Sequence, residues 1–485
     1  MTLPKFLSSL VLVVCVVALT LAIVPIAKCF AVFETSAALK GSFDGINNNS
    51  VLSGWAFDPM SPSTSITISI YMDGPMGVGK LMNTFTTSNT RADVNASHNI
   101  TGTHGFSWPI PAAYQNQIHL WYVYGVGLSG KQEQISGSSR IYPAVTASAI
   151  AAPEPVFTYA INRCDVKDIP DNAARAYRDA TGRVNLIASH YEVHHAVGST
   201  LDNVVHQCAI IHNSPNDPVF GHFKYHEWLT SPYTLDGNTV YGYMHSEWYG
   251  NLVDPACGND MIDGWVNAIT FATSHDGGTT FSHPDDYLVR YPTTPWSNSF
   301  PCSKGNATRY GDFGGTNIIA KGSYYYKFFA YHSEPAIQPP QFGECLMRTE
   351  DLSKASSWEV WNGNGFVRSK TEPCALIPNI LDAQSVTYNT YLKLYVITTY
   401  EKSRGFYFSV SPDLINWSMR MPIAINGLDT SHTPYPSLLD PMDTSRNFEN
   451  TGQTPFVYYT LLHDGLNRDL MRVQIGFSMA SSNAQ

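Results

Sequence analysis

At 485 residues the chain is long enough for about two or three domains. Its 29 basic and 39 acidic residues give a net charge of -10, and only 14% of residues are charged; a protein that tracks phosphates needs a basic stripe, so the balance argues against nucleic acid as a partner. With 44% hydrophobic residues the chain is not disordered. The 10 Trp, 28 Tyr and 23 Phe, set beside 35 Gly and 30 Pro, favour short strands punctuated by turns, an all-β protein.

Residues 1–31 read as a signal peptide. A short start ending in Lys5 precedes a nearly unbroken apolar run from Phe6 to Ala27, then Lys28-Cys29-Phe30-Ala31, the layout of an export leader cleaved near Ala31. The run is also long enough to cross a bilayer, so a membrane becomes a partner only if this segment stays uncleaved as an anchor. Otherwise the protein is secreted, extracellular or at the cell surface. Once Cys15 and Cys29 leave, six cysteines remain, which allow 15 pairings. Pairing neighbours (Cys164 with Cys208, Cys257 with Cys302, Cys345 with Cys374) closes the shortest loops and is the expected pattern.

Residues 36–143 form one strand-rich unit. Alternation is clear over Ser65–Met72 and Gln117–Val126, Gly, Asp and Pro clusters separate the runs, and no helical period appears. The stretches GWAFDP at Gly54–Pro59 and HGF at His104–Phe106 resemble the signatures of a small β-sandwich module appended to many bacterial exported proteins. That resemblance implies an accessory module for carbohydrate or surface attachment; a folding spacer without a ligand is the plainer alternative. Residues 144–155, which include TASAIAAPEP, read as a linker.

From 156 to 477 a repeat emerges. Hairpins such as SPYTLDGNTVYGYMHSEW, GTNIIAKGSYYYKFFAYHSE and QSVTYNTYLKLYVITTYEK each hold a strand, a polar turn and a more apolar strand, and a third strand follows. Five such units of roughly 65 residues have the period of propeller blades, and a closed ring of blades hides strand edges. SHDGGTTF at Ser274–Phe281 matches the Asp-box turn of sialidases and related propellers, with degenerate copies at Arg348–Trp358 and Ser411–Trp417; its Asp276 shapes a turn rather than catalysing. The whole region resembles the five-bladed propellers of furanosidase-type glycoside hydrolases (the arabinanase and xylosidase group), with sialidases more distant. The expected fold is therefore an N-terminal β-sandwich followed by a five-bladed β-propeller.

In such a ring, the starts of first strands and the ends of second strands converge on one face. Three second strands end in His-x-Glu: His190 with Glu192, His245 with Glu247, and His332 with Glu334. Residues two apart in a strand share a side, so these groups are expected to face one pocket and to shift each other's pKa values. Asp171 stands where the furanosidase resemblance implies a general base, and Asp382 opens the fourth unit in the same register. The resemblance fails at the third unit, where Gly314, Gly315, Thr316 and Asn317 replace the implied Glu acid. Glycoside hydrolysis needs two carboxyl groups, and Asp171 with Glu247 is the favoured pair, His245 tuning Glu247 or holding a sugar hydroxyl. Arg175, on the same face as Asp171, is a candidate for an acidic sugar. His190, Glu192, His332, Glu334, Asp382 and Trp248 complete the candidate substrate-binding set, Trp248 by stacking. Neither G-x-S-x-G nor HExxH occurs; no metal ligands are assigned and no cofactor is required, while a calcium ion on the axis would be structural. The reading is an exported enzyme that hydrolyses a polysaccharide or glycan. Its rivals are a propeller-type polysaccharide lyase using His, Tyr and Arg, and a non-catalytic glycan-binding or adhesion protein.

Overall fold

The computed structural model describes residues 38–252, 263–293, 308–334, 337 and 339–480. The proposed signal segment and the Cys257–Cys302 pair lie outside them. The other two cysteine pairs are disulfides, Cys164–Cys208 and Cys345–Cys374. Among the described residues the α-helices are the short Ala92–His98 and Tyr159–Asn162, and strands make the rest of the regular structure.

The N-terminal unit contains two antiparallel sheets. One pairs Lys40–Ile46, Val51–Phe57, Thr103–Pro109 and Asn89–Thr90; the other is built on Lys80–Thr86, Thr67–Met72 and His119–Val126. Both contribute to a single core that includes Phe43, Leu52, Ile68, Ile70, Phe106 and Trp121. Each such buried side chain contributes roughly 1.5–3 kcal/mol. The GWAFDP residues have structural tasks here. A Cβ on Gly54 would lie 2.2 Å from the Ser42 carbonyl and 2.4 Å from the Phe106 ring, so only glycine lets the strands approach. Asp58 accepts the amides of Met60 (2.9 Å) and Leu128 (3.0 Å), fixing the turn that follows.

Residues 144–155 are not a linker. Val145–Ala149 is a strand between two others, antiparallel to Arg468–Met479 and parallel to Met421–Ala424, and Glu154–Phe157 also pairs with Arg468–Met479. The small residues are an alternating pattern in disguise: Val145 and Ala147 are buried, Thr146 and Ser148 exposed. Period-2 burial of this kind defines a strand irrespective of side-chain size.

Among the described residues, antiparallel meanders follow in chain order and lie in three sheets: the first stands alone, the second and third share a ten-stranded sheet, and the fourth and fifth share another. The first runs from Arg175–Arg178 to Val205–Asn213. The second holds His226–Thr234, Val240–Tyr249 and Asp263–Ser274. The third holds Tyr324–His332, Phe342–Thr349 and Glu359–Trp361, and the fourth Ala383–Asn389, Leu394–Glu401 and Gly405–Ser411. The fifth is Ser437–Leu439, Phe456–Leu462 and Arg468–Met479. Their inner strands converge. The Arg175 guanidinium, only 3% exposed, donates to the carbonyls of Thr230 (2.7 Å), Gly315 (3.2 Å) and Gln384 (2.7 Å), reaching from the first meander to the next three. The Asp-box turn is structural: Asp276 accepts the amides of Thr279 (3.0 Å) and Thr280 (2.9 Å). Asp413 does the same for Ile415 and Asn416 in the Ser411–Trp417 copy.

Candidate functional site

The ends of the inner strands and their loops surround a cleft of about 760 Å³. Its first wall is built on Asp171, which lies just before the strand Arg175–Arg178 and is anchored by its amide to the Ala188 carbonyl (2.8 Å). Asp171 Oδ1 accepts the Arg468 guanidinium and the Tyr435 hydroxyl (3.3 Å), and Oδ2 accepts the Trp228 indole N–H (3.1 Å), with His190 Nε2 3.5 Å away. Arg468 and Tyr435 come from the fifth meander, Trp228 from the second. The carboxylate thus carries its charge against a guanidinium, in a net of donors from three parts of the chain.

The second wall is the end of Val240–Tyr249, where His245, Glu247 and Tyr249 recur on one side of the strand. Gly314 donates its amide to His245 Nδ1 (3.0 Å). That fixes the tautomer: Nδ1 accepts, so in the neutral ring Nε2 carries the proton and donates to Glu247 Oε1, 2.9 Å away. Glu247 Oε2 accepts the Tyr249 hydroxyl. The missing carboxylate of the third unit has a steric reason. A Cβ on Gly314 would sit 2.4 Å from His245 Cβ and 2.8 Å from Thr230 Cγ2, so only glycine brings its amide to the imidazole.

The remaining walls carry Arg309, His332 and Phe313 on one side and Asp382, Gln384 and Glu344 on another. Asp382 Oδ1 accepts the Gln384 amide (2.7 Å). Its side chain is exposed and opens onto the cleft, where crowding by the surrounding walls desolvates it and raises its pKa to about 6. Glu344, 1% exposed, is pushed up to about 8 by burial; Oε1 accepts the Ala383 amide (3.2 Å), and Oε2 has no hydrogen-bond partner among the described residues. Burial lowers His190 to about 3, and His226 and His332 to about 4. All three imidazoles are neutral at physiological pH. The Tyr435 hydroxyl is raised by burial first and then by the charges of Glu247 and Asp382.

Six of the residues singled out in the sequence line this cleft: Asp171, His190, His245, Glu247, His332 and Asp382. Four do not. Arg175 is spent on backbone carbonyls at the hub, so its guanidinium has no free edge for an acidic sugar. Glu192 pairs with Lys167 at 2.5 Å. His190 and Tyr191 lie in the connection before the strand Glu192–Gly198 begins, so the two-residue rule does not bind His190 to Glu192. Glu334 lies beyond the end of Tyr324–His332 and accepts the Thr293 amide (2.9 Å). Trp248 is fully buried, its indole donating to Pro218 O (2.8 Å) and its ring 5.0 Å from Phe220, so it packs rather than stacks on a ligand.

Sequence reasoning missed Trp228, Tyr249, Arg309, Glu344, Tyr435 and Arg468. Tyr249 was accessible, two residues beyond Glu247. Glu344, the one carboxylate in the strand FGECLMRT, also left a trace. Arg468 and Tyr435 meet Asp171 across 297 and 264 residues, and no local pattern marks them.

No family model matches the chain, and no curated protein is similar to it by sequence. Solved structures overlap it in part. A GH43_1 enzyme from Xanthomonas citri is 11% identical, with a TM-score of 0.40 over 70% of this chain and 92% of its own. A protein of unknown function from Dyadobacter fermentans is 12% identical, with a TM-score of 0.39 over 68% of this chain and all of its own. An α-L-arabinanase from Penicillium chrysogenum is 9% identical, with a TM-score of 0.33 over 85% of this chain and 98% of its own. Overlaps of this size assign neither a family nor a substrate.

Proposed function

We propose that the five meanders are the blades of a five-bladed propeller, that the N-terminal unit is an accessory β-sandwich, and that the protein is a secreted enzyme hydrolysing glycosidic bonds in the cleft. The observation that carries this reading is a pair of unlike carboxyl groups on one cavity. Asp171 is ion-paired with Arg468, while Asp382 holds its proton to about pH 6. Two carboxyl groups whose surroundings set them apart mark the base or nucleophile and the acid of such a reaction. Asp382 then protonates the leaving oxygen, and Asp171 attacks or activates water. Glu247, the expected partner of Asp171, accepts on both oxygens; with His245 and Tyr249 it is better suited to hold a sugar hydroxyl. Aromatic walls from Trp228, Tyr191 and Trp265 offer apolar faces to sugar rings. The disulfides support export, because such bonds persist in oxidising compartments.

The test is a panel of neutral and acidic polysaccharides read for new reducing ends. Wild-type protein is expected to cleave one of them, and D171N and D382N to lose at least about 100-fold in kcat while still binding it. Binding of a glycan with no turnover by any form sinks the enzymatic reading and leaves adhesion.

One observation favours a second reading. Arg309 faces the cleft beside Trp265 and Phe313, and among the described residues no carboxylate lies within ion-pair distance of it. A guanidinium so placed suits a uronate carboxylate, and neutral His190 with Tyr435 could move the proton of a lyase. Ultraviolet absorbance of an unsaturated product, without hydrolysis, decides for it.

A further inference from the structure

A second cluster of ionisable groups lies behind the cleft wall, outside the site just described. Glu227 is the second residue of His226–Thr234, the strand whose alternate residues His226 and Trp228 line the cleft; Glu227 therefore points away from it. It is fully buried. Facing it are His212, at the end of the outermost strand of the first meander, and His283, in the loop beyond the Asp-box turn. Their side chains are 4% and 12% exposed.

The hydrogen bonds determine which atoms face inward. His283 Nδ1 lies 2.7 Å from the Phe271 carbonyl. A carbonyl only accepts, so Nδ1 carries the proton and the lone pair of a neutral ring sits on Nε2. That Nε2 is 2.9 Å from Glu227 Oε2, which places two electron-rich atoms face to face and calls for a cation. A proton on His283 satisfies this contact alone. It leaves His212 Nε2, 3.5 Å from the same oxygen and buried, with no hydrogen-bond partner among the described residues.

One metal ion satisfies all three groups. We infer that His212 Nε2, His283 Nε2 and Glu227 form a site for a divalent transition metal, Zn2+ by the chemistry of its donors. Ligand atoms at 2.0–2.1 Å from a tetrahedral ion are about 3.4 Å apart, and the observed 2.9 and 3.5 Å fall on either side of that separation. The outer groups fit a metal as well. The Phe271 carbonyl orients His283, and the Thr270 hydroxyl donates to Glu227 Oε1 at 2.5 Å, leaving Oε2 to the ion. Two imidazoles disfavour calcium, which takes oxygen ligands. Water fills the fourth position. Enclosed and facing away from the cleft, the ion is a clasp between the first and second meanders, holding the strand that aims Trp228 at Asp171.

The test needs no substrate. Untagged full-length protein is stripped with a chelator, reloaded with Zn2+ or Co2+, and measured for bound metal by mass spectrometry. One equivalent is expected, with the visible bands of low-coordinate Co2+ and a rise in Tm on adding Zn2+. H212Q and H283Q are expected to weaken binding at least about 10-fold, and the double variant to abolish the Co2+ bands. Should these variants not fold, X-ray absorption on the Zn2+-loaded wild type reads the ligands directly, and two imidazoles support the site. Wild-type protein that takes up neither metal, a double variant that keeps its equivalent, or a zinc spectrum without imidazole overturns it.

Discussion

Burial raises the Glu344 carboxyl to about 8 and leaves its Oε2 without a donor, so the folded protein keeps this proton at neutral pH while the unfolded chain releases it near the usual value for glutamate. Between about pH 4.5 and 8 the unfolded state therefore binds fewer protons, and stability falls as pH rises, by at most about 1.4 kcal/mol per unit. E344Q is neutral at every pH and keeps an acceptor for the Ala383 amide. Its Tm is expected to match that of the wild type near pH 4 and to exceed it by several degrees at pH 8, measured by thermal unfolding at both. A gap that is the same at both pH values would mean that Glu344 is charged in the fold. Asp382 shows the same physics at the mouth of the cleft. If it is the proton donor, kcat/KM declines as pH rises through about 6, and a Gln384→Leu change, which removes the amide that favours the charged form, moves that limb upward. A rate that is flat from pH 5 to 8 would assign the acid elsewhere.

The end of Val240–Tyr249 shows how far an element can be read from its letters. His245 and Glu247 were legible because they fall inside a strand, where a period of two is enforced by the backbone. His190 and Glu192 have the same spacing and opposite fates, because the strand starts only at Glu192. Trp248 and Trp228 show the complementary error: in a strand buried on both faces, an aromatic residue gives no sign of whether it meets a cavity or a neighbouring sheet. Asp171 was singled out only through the furanosidase resemblance, and the partners that hold it come from the second and fifth meanders. Gly314 was legible only as an absence, the lack of an expected carboxylate, and the structure turns that absence into a requirement. G314A forces a methyl to 2.4 Å from His245 Cβ. The expected result is a loss of about 1–3 kcal/mol in denaturant unfolding, and a fall in turnover larger than that of stability-matched core variants, since the amide that sets the His245 tautomer is displaced. Wild-type unfolding by G314A would show that the loop yields without cost.

At the scale of the whole molecule, the strand Val145–Ala149 decides where the chain can be divided. Composition hid it, because alternation among Val, Thr, Ala and Ser is faint beside that of larger side chains. Yet it fills the gap between Met421–Ala424 and Arg468–Met479, and Val145 and Ala147 join the core of Val396, Phe408, Ile475 and Phe477. The N-terminal unit meets this body through Ile118 and Ile141, which pack at the edge of the same core, and through Ser139, whose hydroxyl donates to Trp417 O (2.9 Å) and whose carbonyl accepts the Met419 amide (2.9 Å). Two hydrogen bonds are worth about 1 kcal/mol each. A chain beginning at Ala144 should therefore fold, with a Tm within several degrees of the full-length protein. One beginning at Ala151 loses the shared strand, exposes two edges that pair with other chains, and should aggregate or unfold well below that temperature. Size-exclusion chromatography and thermal unfolding of the two chains side by side give the comparison. Equal behaviour would return residues 144–155 to the role of a linker, and unfolding of both would make the N-terminal unit part of the same cooperative fold.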